Sequence, residues 1–438
     1  MTFIKTLAWE WKHYMRSNYK LMAIALFMIA AVVGLINGIQ LKKRLDKTLN
    51  LVQITAIEQQ EKALSLLKEG KKSPEDMSWI DLGTPQGAMS FADLYATKAP
   101  TQLMPLAVGQ TRQHGFYKKM GSYSTAYDSD MSAEISNPEE VAGSTLDFTF
   151  VLLFLLPLLL IVLLYPLGAT ERDADMVRLL TIQSGNYKKW LIQRLLANGI
   201  YMTLFLLVLL GISGIWTGSF SELIFWKYVL VILAYTWIWT IVLGAIIFMG
   251  MDQTSQAVAM ILVWAILAIF LPGAFQQLAN AQTEANLMVD FLDAKRVDQG
   301  EIYEEEFSKV KREVLSGIPE LSNTQLASLP DSLLSRSAKN DVYRTAVAMH
   351  MKEVFANNEA YFEQKNRIIR SNYWLNPLVA VQNYLYQLAG TDYYAFHDFR
   401  NQVQSTNFEI CRRLLLDNWD QVQIDEKGFT DYLKLVQD

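Results

Sequence analysis

A mainly α, polytopic membrane bundle is the fold class this sequence predicts, and three observations predict it. Five stretches, 21–41, 148–169, 195–216, 228–251 and 257–275, contain no Asp, Glu, Lys or Arg. Crossing roughly 30 Å of hydrocarbon takes about 20 apolar residues, and a buried helix of a soluble domain seldom stays free of charge for that long. Composition agrees, with 51% hydrophobic and 19% charged residues in a chain of 438, much of the charge falling outside the five stretches. Finally, the two long polar blocks, 42–147 and 276–438, are each large enough to fold. The expectation is five spans carrying a large, mostly helical composite domain on the extracytoplasmic side.

The elements follow in chain order. In residues 1–20, Ile4, Leu7, Ala8, Trp11 and Met15 recur at helical spacing while Lys5, Lys12, His13 and Arg16 fall on other faces. That pattern suits a cytoplasmic helix lying in the membrane interface; a helix packed on the bundle explains the same stripe. Residues 21–41 are the first span. A signal-peptide core runs about 7–15 residues and is followed by a small-residue cleavage site, so this stretch reads as a retained anchor. Leu45, Leu49, Val52 and Ala56 continue the helical period through Leu64 and Leu67, predicting a rod of about seven turns with Gly70 as its C-cap and Ser73-Pro74 as a stop. Residues 75–147 are richer in Gly, Ser, Thr and Pro and read as irregular, with short elements.

The second span, 148–169, contains Pro157 and Pro166, and the segment 195–275 holds the third to fifth spans with Asn198 near its start. Gln253 and Ser255 supply a turn and a helix start for the fifth span, whose end is interrupted by Pro272-Gly273. Proline bends a helix, as the lining helices of transporters exploit, but membrane helices tolerate it generally. No span carries an ionisable group at depth, which argues against an ion channel or a proton-coupled carrier. In 276–438 a charged stretch, 290–313, and an amphipathic run, 341–369, read as helices on either side of a loop at 317–330. That block holds 24 Asp and Glu against 17 Lys and Arg, a net charge of −7. It is a poor surface for nucleic acid.

Orientation rests on the short segments. Lys5, Lys12, Arg16 and Lys20 precede the first span, and Arg172, Arg178, Lys188, Lys189 and Arg194 lie between the second and third. These nine place the amino terminus and the segment 170–194 in the cytoplasm, against Lys42, Lys43, Arg44 and Lys47 on the other side. The two blocks are then extracytoplasmic, periplasmic if the membrane is a cell inner membrane.

The segment 170–194 carries the functional reading. Glu171-Arg172-Asp173 opens it, Met176, Val177, Leu179, Leu180 and Ile182 form an apolar run, Ser184-Gly185-Asn186 turns the chain, and a basic helix returns to the membrane. Such a stiff elbow can dock a soluble partner and pass its motion to two membrane helices, although an ordinary intracellular hairpin has the same charges. Glu171-Arg172-Asp173 followed by Leu179-Leu180 resembles the coupling-helix signature of ATP-binding-cassette exporter permeases of the type-2 class. The wider chain resembles one subfamily of them, of uncharacterised function, with large extracytoplasmic insertions after the first and fifth spans. The marks are Pro105-Leu106-Ala107-Val108-Gly109-Gln110, Asn137-Pro138 with Gly143 and Asp147-Phe148, Asn376-Pro377-Leu378 with Gln382-Asn383, and Leu388-Ala389-Gly390-Thr391-Asp392.

The resemblance implies a transport subunit that is not itself an enzyme, with Glu171, Arg172, Asp173, Leu179 and Leu180 coupling it to a separate ATPase. ATP and Mg would be held by that ATPase, and a second permease copy or paralogue would complete the assembly in membrane lipid. A mechanotransmitter that relays ATPase cycles to an envelope protein uses the same parts. Two departures stand out: the family's Gly-Thr falls at Asp175-Met176 and its proline at Ser184, and no stretch after Gln276 is apolar enough for the family's sixth span.

Catalytic, cofactor and metal sites are not expected in this chain. Gly70-Lys71-Lys72-Ser73 lacks the glycine spacing of a phosphate-cradling loop. Met349-His350-Met351 offers soft ligands, but consecutive residues on a helix point apart. Asp392, His397 and Asp398 lack a nucleophile. Cys411 is the single cysteine, so no intramolecular disulfide forms.

Overall fold

The computed structural model describes residues 3–71, 73, 80–128, 130, 146–282 and 291–435. In chain order, α1 (Phe3–Arg16) is followed by α2 (Asn18–Lys68), α3 (Pro85–Ala92), the strands β1 (Tyr95–Thr97) and β2 (Tyr117–Lys119), α4 (Phe148–Asp173), α5 (Val177–Ser184), α6 (Tyr187–Thr217), α7 (Leu223–Phe248) and α8 (Gln253–Ala281). Then come α9 (Gln299–Glu304), α10 (Phe307–Gly317), α11 (Arg336–Ser371), α12 (Pro377–Ala389), α13 (Tyr393–Trp419) and α14 (Glu426–Lys434). The strands pair antiparallel with Ala96 opposite Lys118. Among the described residues five helices, α2, α4, α6, α7 and α8, are long and apolar enough to cross a membrane.

Helix starts follow their side chains. Asp147, Asn186, Asp252, Ser335, Asn376, Asp392 and Asp425 each accept a hydrogen bond from a backbone N–H in the first turn of the helix they precede. This satisfies a donor that the helix itself leaves free. At the far end of α2, Gly70 adopts φ +69° and the Lys71 N–H donates to the Leu66 carbonyl, closing the 51-residue helix.

Proline does not end the fifth span. A π turn at Ile266–Phe270 precedes Pro272, and another at Val151–Leu155 precedes Pro157. A proline ring collides with the carbonyl four residues earlier, here Ala268 and Leu153, both inside the widened turns. The extra residue per turn moves that carbonyl aside, and α8 runs on to Ala281. In α4 the break comes instead at Pro166 to Gly168, where Gly168 adopts φ +77°.

The core of the membrane half is built on α4, whose Val151, Leu152, Leu156 and Leu160 are buried among α2, α6 and α7. Close approach is paid for with glycine on α2: a Cβ on Gly38 would lie 2.0 Å from the Pro105 carbonyl oxygen, and one on Gly34 2.9 Å from the Asp147 carbonyl carbon.

The two polar blocks form one head at the Lys68 end of α2, and they share cores. Ala63 of α2, Leu82 and Phe91 pack with Ile410, Leu414 and Phe429. Ala126 and Tyr127 pack with Phe291, Phe355, Phe399 and Val403, and Leu49 packs with Phe116 and Phe396. The head is tied to the bundle at a joint. There the Thr391 hydroxyl donates to the Ala107 carbonyl at 2.7 Å, the Gln110 N–H to the Thr391 carbonyl at 2.9 Å, the Val108 N–H to Asp147 at 3.2 Å and the Thr149 hydroxyl to the Leu106 carbonyl at 2.7 Å. Thus three of the scattered sequence marks, 105–110, Asp147 and 388–392, meet in space. Asn137, Pro138 and Gly143 lie outside the described residues.

Candidate coupling site

The elbow between α4 and α6 is made by backbone reversals. Gly168 (φ +77°), Asp175 (φ +54°) and Gly185 (φ +76°) turn the chain on either side of α5, and Asn186 caps the return helix through the Lys189 N–H at 3.1 Å.

All three charged residues of its opening are engaged within the chain. Glu171 pairs with Arg194 of α6, and Arg194 pairs in turn with Glu10 of α1. The Arg194 guanidinium lies between the rings of Trp9 and Trp190, 4.7 Å from each centroid. Two carboxylates and two aromatic faces compensate a buried charge that would otherwise be prohibitive. Arg172 donates to the Met251 carbonyl at 2.6 and 2.9 Å and to Gln256 at 2.8 Å. The Gln256 amide donates in turn to the Tyr165 and Leu167 carbonyls at the break in α4, at 2.8 and 3.0 Å. Asp173 accepts from the Gln253 N–H at 3.1 Å, at the start of α8. The Glu-Arg-Asp run therefore fastens the end of α4 to α1, α6 and α8.

The leucines divide. Leu180 packs against the bundle core, whereas Leu179 is 53% exposed and stands with Met176 and Ile182, 50% and 81% exposed, on the open face of α5. No residue of α5 is buried. An open apolar strip on a short helix that directly follows the fastened end of α4 can receive a partner and transmit its displacement.

Sequence reasoning missed Glu10. Its signal was a polar stripe, Thr6, Glu10 and Tyr14, one helical turn apart, with Glu10 the lone acid among residues 3–20. These three are the buried residues of α1. The Tyr14 hydroxyl donates to Asn198 at 2.5 Å, and the Tyr201 hydroxyl to the Leu7 carbonyl at 2.7 Å, so α1 lies on α6 by its polar face. The apolar stripe read from sequence points away, Ile4 being 76% and Trp11 52% exposed.

The weaker sequence candidates are structural. His350 faces Asp298 at 2.8 Å while Met351 sits in a core. Asp392 caps α13, and His397 lies between Asp398 and Glu359, 3.2 and 3.5 Å away. Glu359 is the centre of a buried head network: Arg400 donates to it at 2.8 and 3.2 Å, the Tyr127 hydroxyl at 2.6 Å and the Tyr393 hydroxyl at 3.0 Å. Burial raises its carboxyl, but Arg400 and the hydroxyls more than reverse this and hold it below its ordinary value.

With this geometry in place, the comparison with known proteins is narrow. A family described as a domain of unknown function (DUF3526) matches residues 279–431. The match lies in the head. It covers about a third of the chain, contains α9 to α13 and the first turns of α14, and reaches none of the elbow residues. No curated protein matches the chain, and no solved structure does.

Proposed function

We propose that this chain is the membrane permease subunit of an ATP-binding-cassette exporter, in which a separate ATPase docks on the elbow and drives export or extrusion of a substrate. The observation that carries the reading is the elbow: Met176, at the start of α5, and Leu179 and Ile182 on it form an open apolar strip directly after the end of α4, which Glu171, Arg172 and Asp173 fasten to α1, α6 and α8. ATP and Mg belong to the ATPase, and a second permease copy or paralogue completes the assembly. The basic short segments put the elbow in the cytoplasm and the head on the extracytoplasmic side of an inner membrane.

A second reading is favoured by α2. This helix runs unbroken from Tyr19, packed against Tyr165 where α4 breaks before the elbow, into the head, so ATPase cycles can act mechanically on an envelope partner without a substrate crossing. The test of the shared step is affinity purification of the full chain from native membranes, alongside a Leu179→Asp, Ile182→Asp variant. An ATP-binding-cassette ATPase should accompany the wild type in roughly equal amount and be lost from the variant, with the melting temperature unchanged. Recovery of that ATPase by both proteins, or by neither, would overturn the docking role of α5.

A further inference from the structure

A cavity of about 840 Å³ lies where the head meets the head-side end of α8. Its floor is Pro272, Gly273 and Gln276 of α8, one wall is Lys365 and Asn366 of α11, and Gln113 and Asn376 close other sides. Its back reaches the buried Arg400.

Of the acidic groups around it, Glu359 faces Arg400 at 2.8 Å, and Asp130 faces Lys118 through one oxygen at 2.8 Å and His114 through the other at 3.6 Å. Lys365, by contrast, has no carboxylate partner among the described residues. The lining is thus rich in side-chain amides and carries one uncommitted cation. It suits an anionic head group that also presents hydroxyl or ester oxygens to the amides.

The surroundings say where such a molecule comes from. Directly below the floor, Ile266, Ile269 and Phe270 of α8 are 47%, 55% and 68% exposed on a helix apolar enough to cross a membrane. Two residues before Asn376, Trp374 is 77% exposed at the foot of the head, next to Leu375 at 37%. Tryptophan held open beside apolar helix ends is the pattern of the membrane–water boundary. The mouth therefore lies at head-group level, with an apolar helix face beneath it for acyl chains.

We propose that this cavity binds a membrane phospholipid of net negative charge, its phosphate on Lys365, its remaining head-group oxygens on the amides of Gln113 and Asn366, and its chains along Ile269 and Phe270. The site is separate from the elbow and does not depend on the identity of any ATPase.

The test is native mass spectrometry of the full chain in detergent, titrated with dioleoyl phosphatidylglycerol. Lys365→Glu reverses the charge. Gly273→Leu fills the floor, where an added Cβ meets nothing within 4 Å, and its melting temperature is compared with that of the wild type. The expected result is at least a fivefold loss of lipid retention in each variant, no such difference for dioleoyl glycerol, and no competition by glycerol 3-phosphate at the lipid's concentration. Retention unchanged in both variants overturns the site. Loss in Lys365→Glu alone reduces Lys365 to a surface charge and overturns the cavity as the site. Full competition by glycerol 3-phosphate makes the ligand a free phosphate ester and overturns the lipid.

Discussion

Glu10 of α1 and Arg194 of α6, 184 residues apart in the chain, form a buried ion pair, and Arg194 also holds Glu171 of the elbow. The Glu10 side chain is 1% exposed and that of Glu171 17%. Removing one member of a buried pair leaves the other charge uncompensated, at a cost of about 3–5 kcal/mol. Glu10→Ala should therefore lower the melting temperature of the detergent-solubilised chain more than Glu171→Ala, whose site admits water. Equal losses would mean that Arg194 is served by either acid alone.

Charge reversal separates the two acids of the elbow. Glu171→Lys sets a cation beside Arg194 and should destabilise the chain. Asp173→Lys loses only one exposed cap on the Gln253 N–H, a change of about 1 kcal/mol. On the proposed reading, uncoupling of the partner ATPase without loss of fold should accompany Asp173→Lys and substitutions at Leu179. Thermal melts run beside ATPase assays of the purified complex distinguish these outcomes.

Gly38→Ala should be far more damaging than Gly211→Ala. The first Cβ would lie 2.0 Å from the Pro105 carbonyl oxygen, and the second meets nothing within 4 Å. Overpacking typically costs about 1–3 kcal/mol, and here the obstruction is backbone that cannot swing away. The melting temperature should fall clearly for Gly38→Ala and stay or rise for Gly211→Ala, since alanine favours the helix.

Asp341 and Asp130 should contribute to the pH dependence of the head with opposite signs. Burial raises the Asp341 carboxyl from 3.8 to about 6, against the pull of Arg344 and Asn418. A carboxyl with a raised folded pKa holds its proton more tightly when folded, so its contribution is greatest below about pH 4 and is lost as pH rises through 6. The change is about 1–3 kcal/mol, and Asp341→Asn should flatten it. Asp130 has the opposite sign: burial raises it, but His114 and Lys118 outweigh that and bring it to about 2. Its contribution is lost as pH falls from about 4 toward 2, and Asp130→Asn should remove that acid limb. Melting curves of wild type and both variants between pH 2 and 8 check both signs.

The five charge-free stretches were legible because hydrocarbon forbids charge, and each falls on one of the five helices long and apolar enough to cross a membrane, the fourth running three residues past the end of α7 at Phe248. The period after Leu41 was likewise visible, and Leu45, Leu49 and Ala56 follow it on α2. What sequence could not give was which face of α1 packs. The usual rule buries the apolar side, but next to lipid that side can remain outermost while Thr6, Glu10 and Tyr14 turn inward. Nor could it give the continuation of α8 past Pro272, because a widened turn leaves no signature in residue type. The elbow residues were legible as a cluster. Their partners were not, since Glu10, Met251 and Gln256 are brought to them by the packing of separate helices.

α2 measures 51 residues, or about 76 Å at 1.5 Å per residue, and Tyr19 in its first turn lies against Tyr165, where α4 breaks before the elbow, while its last turns are packed in the head. A helix of that length is a lever arm. Tilting it by about 5° at one end sweeps the other through roughly 6–7 Å, more than one helical turn. Motions too small to open a path through the bundle are thus magnified at the far tip, where Ala63, Leu64 and Leu67 meet the remainder of the head. Stroke length at the tip is then set by chain geometry alone, and each turn inserted into α2 between Leu41 and Leu49 would lengthen it by about 5.4 Å of radius.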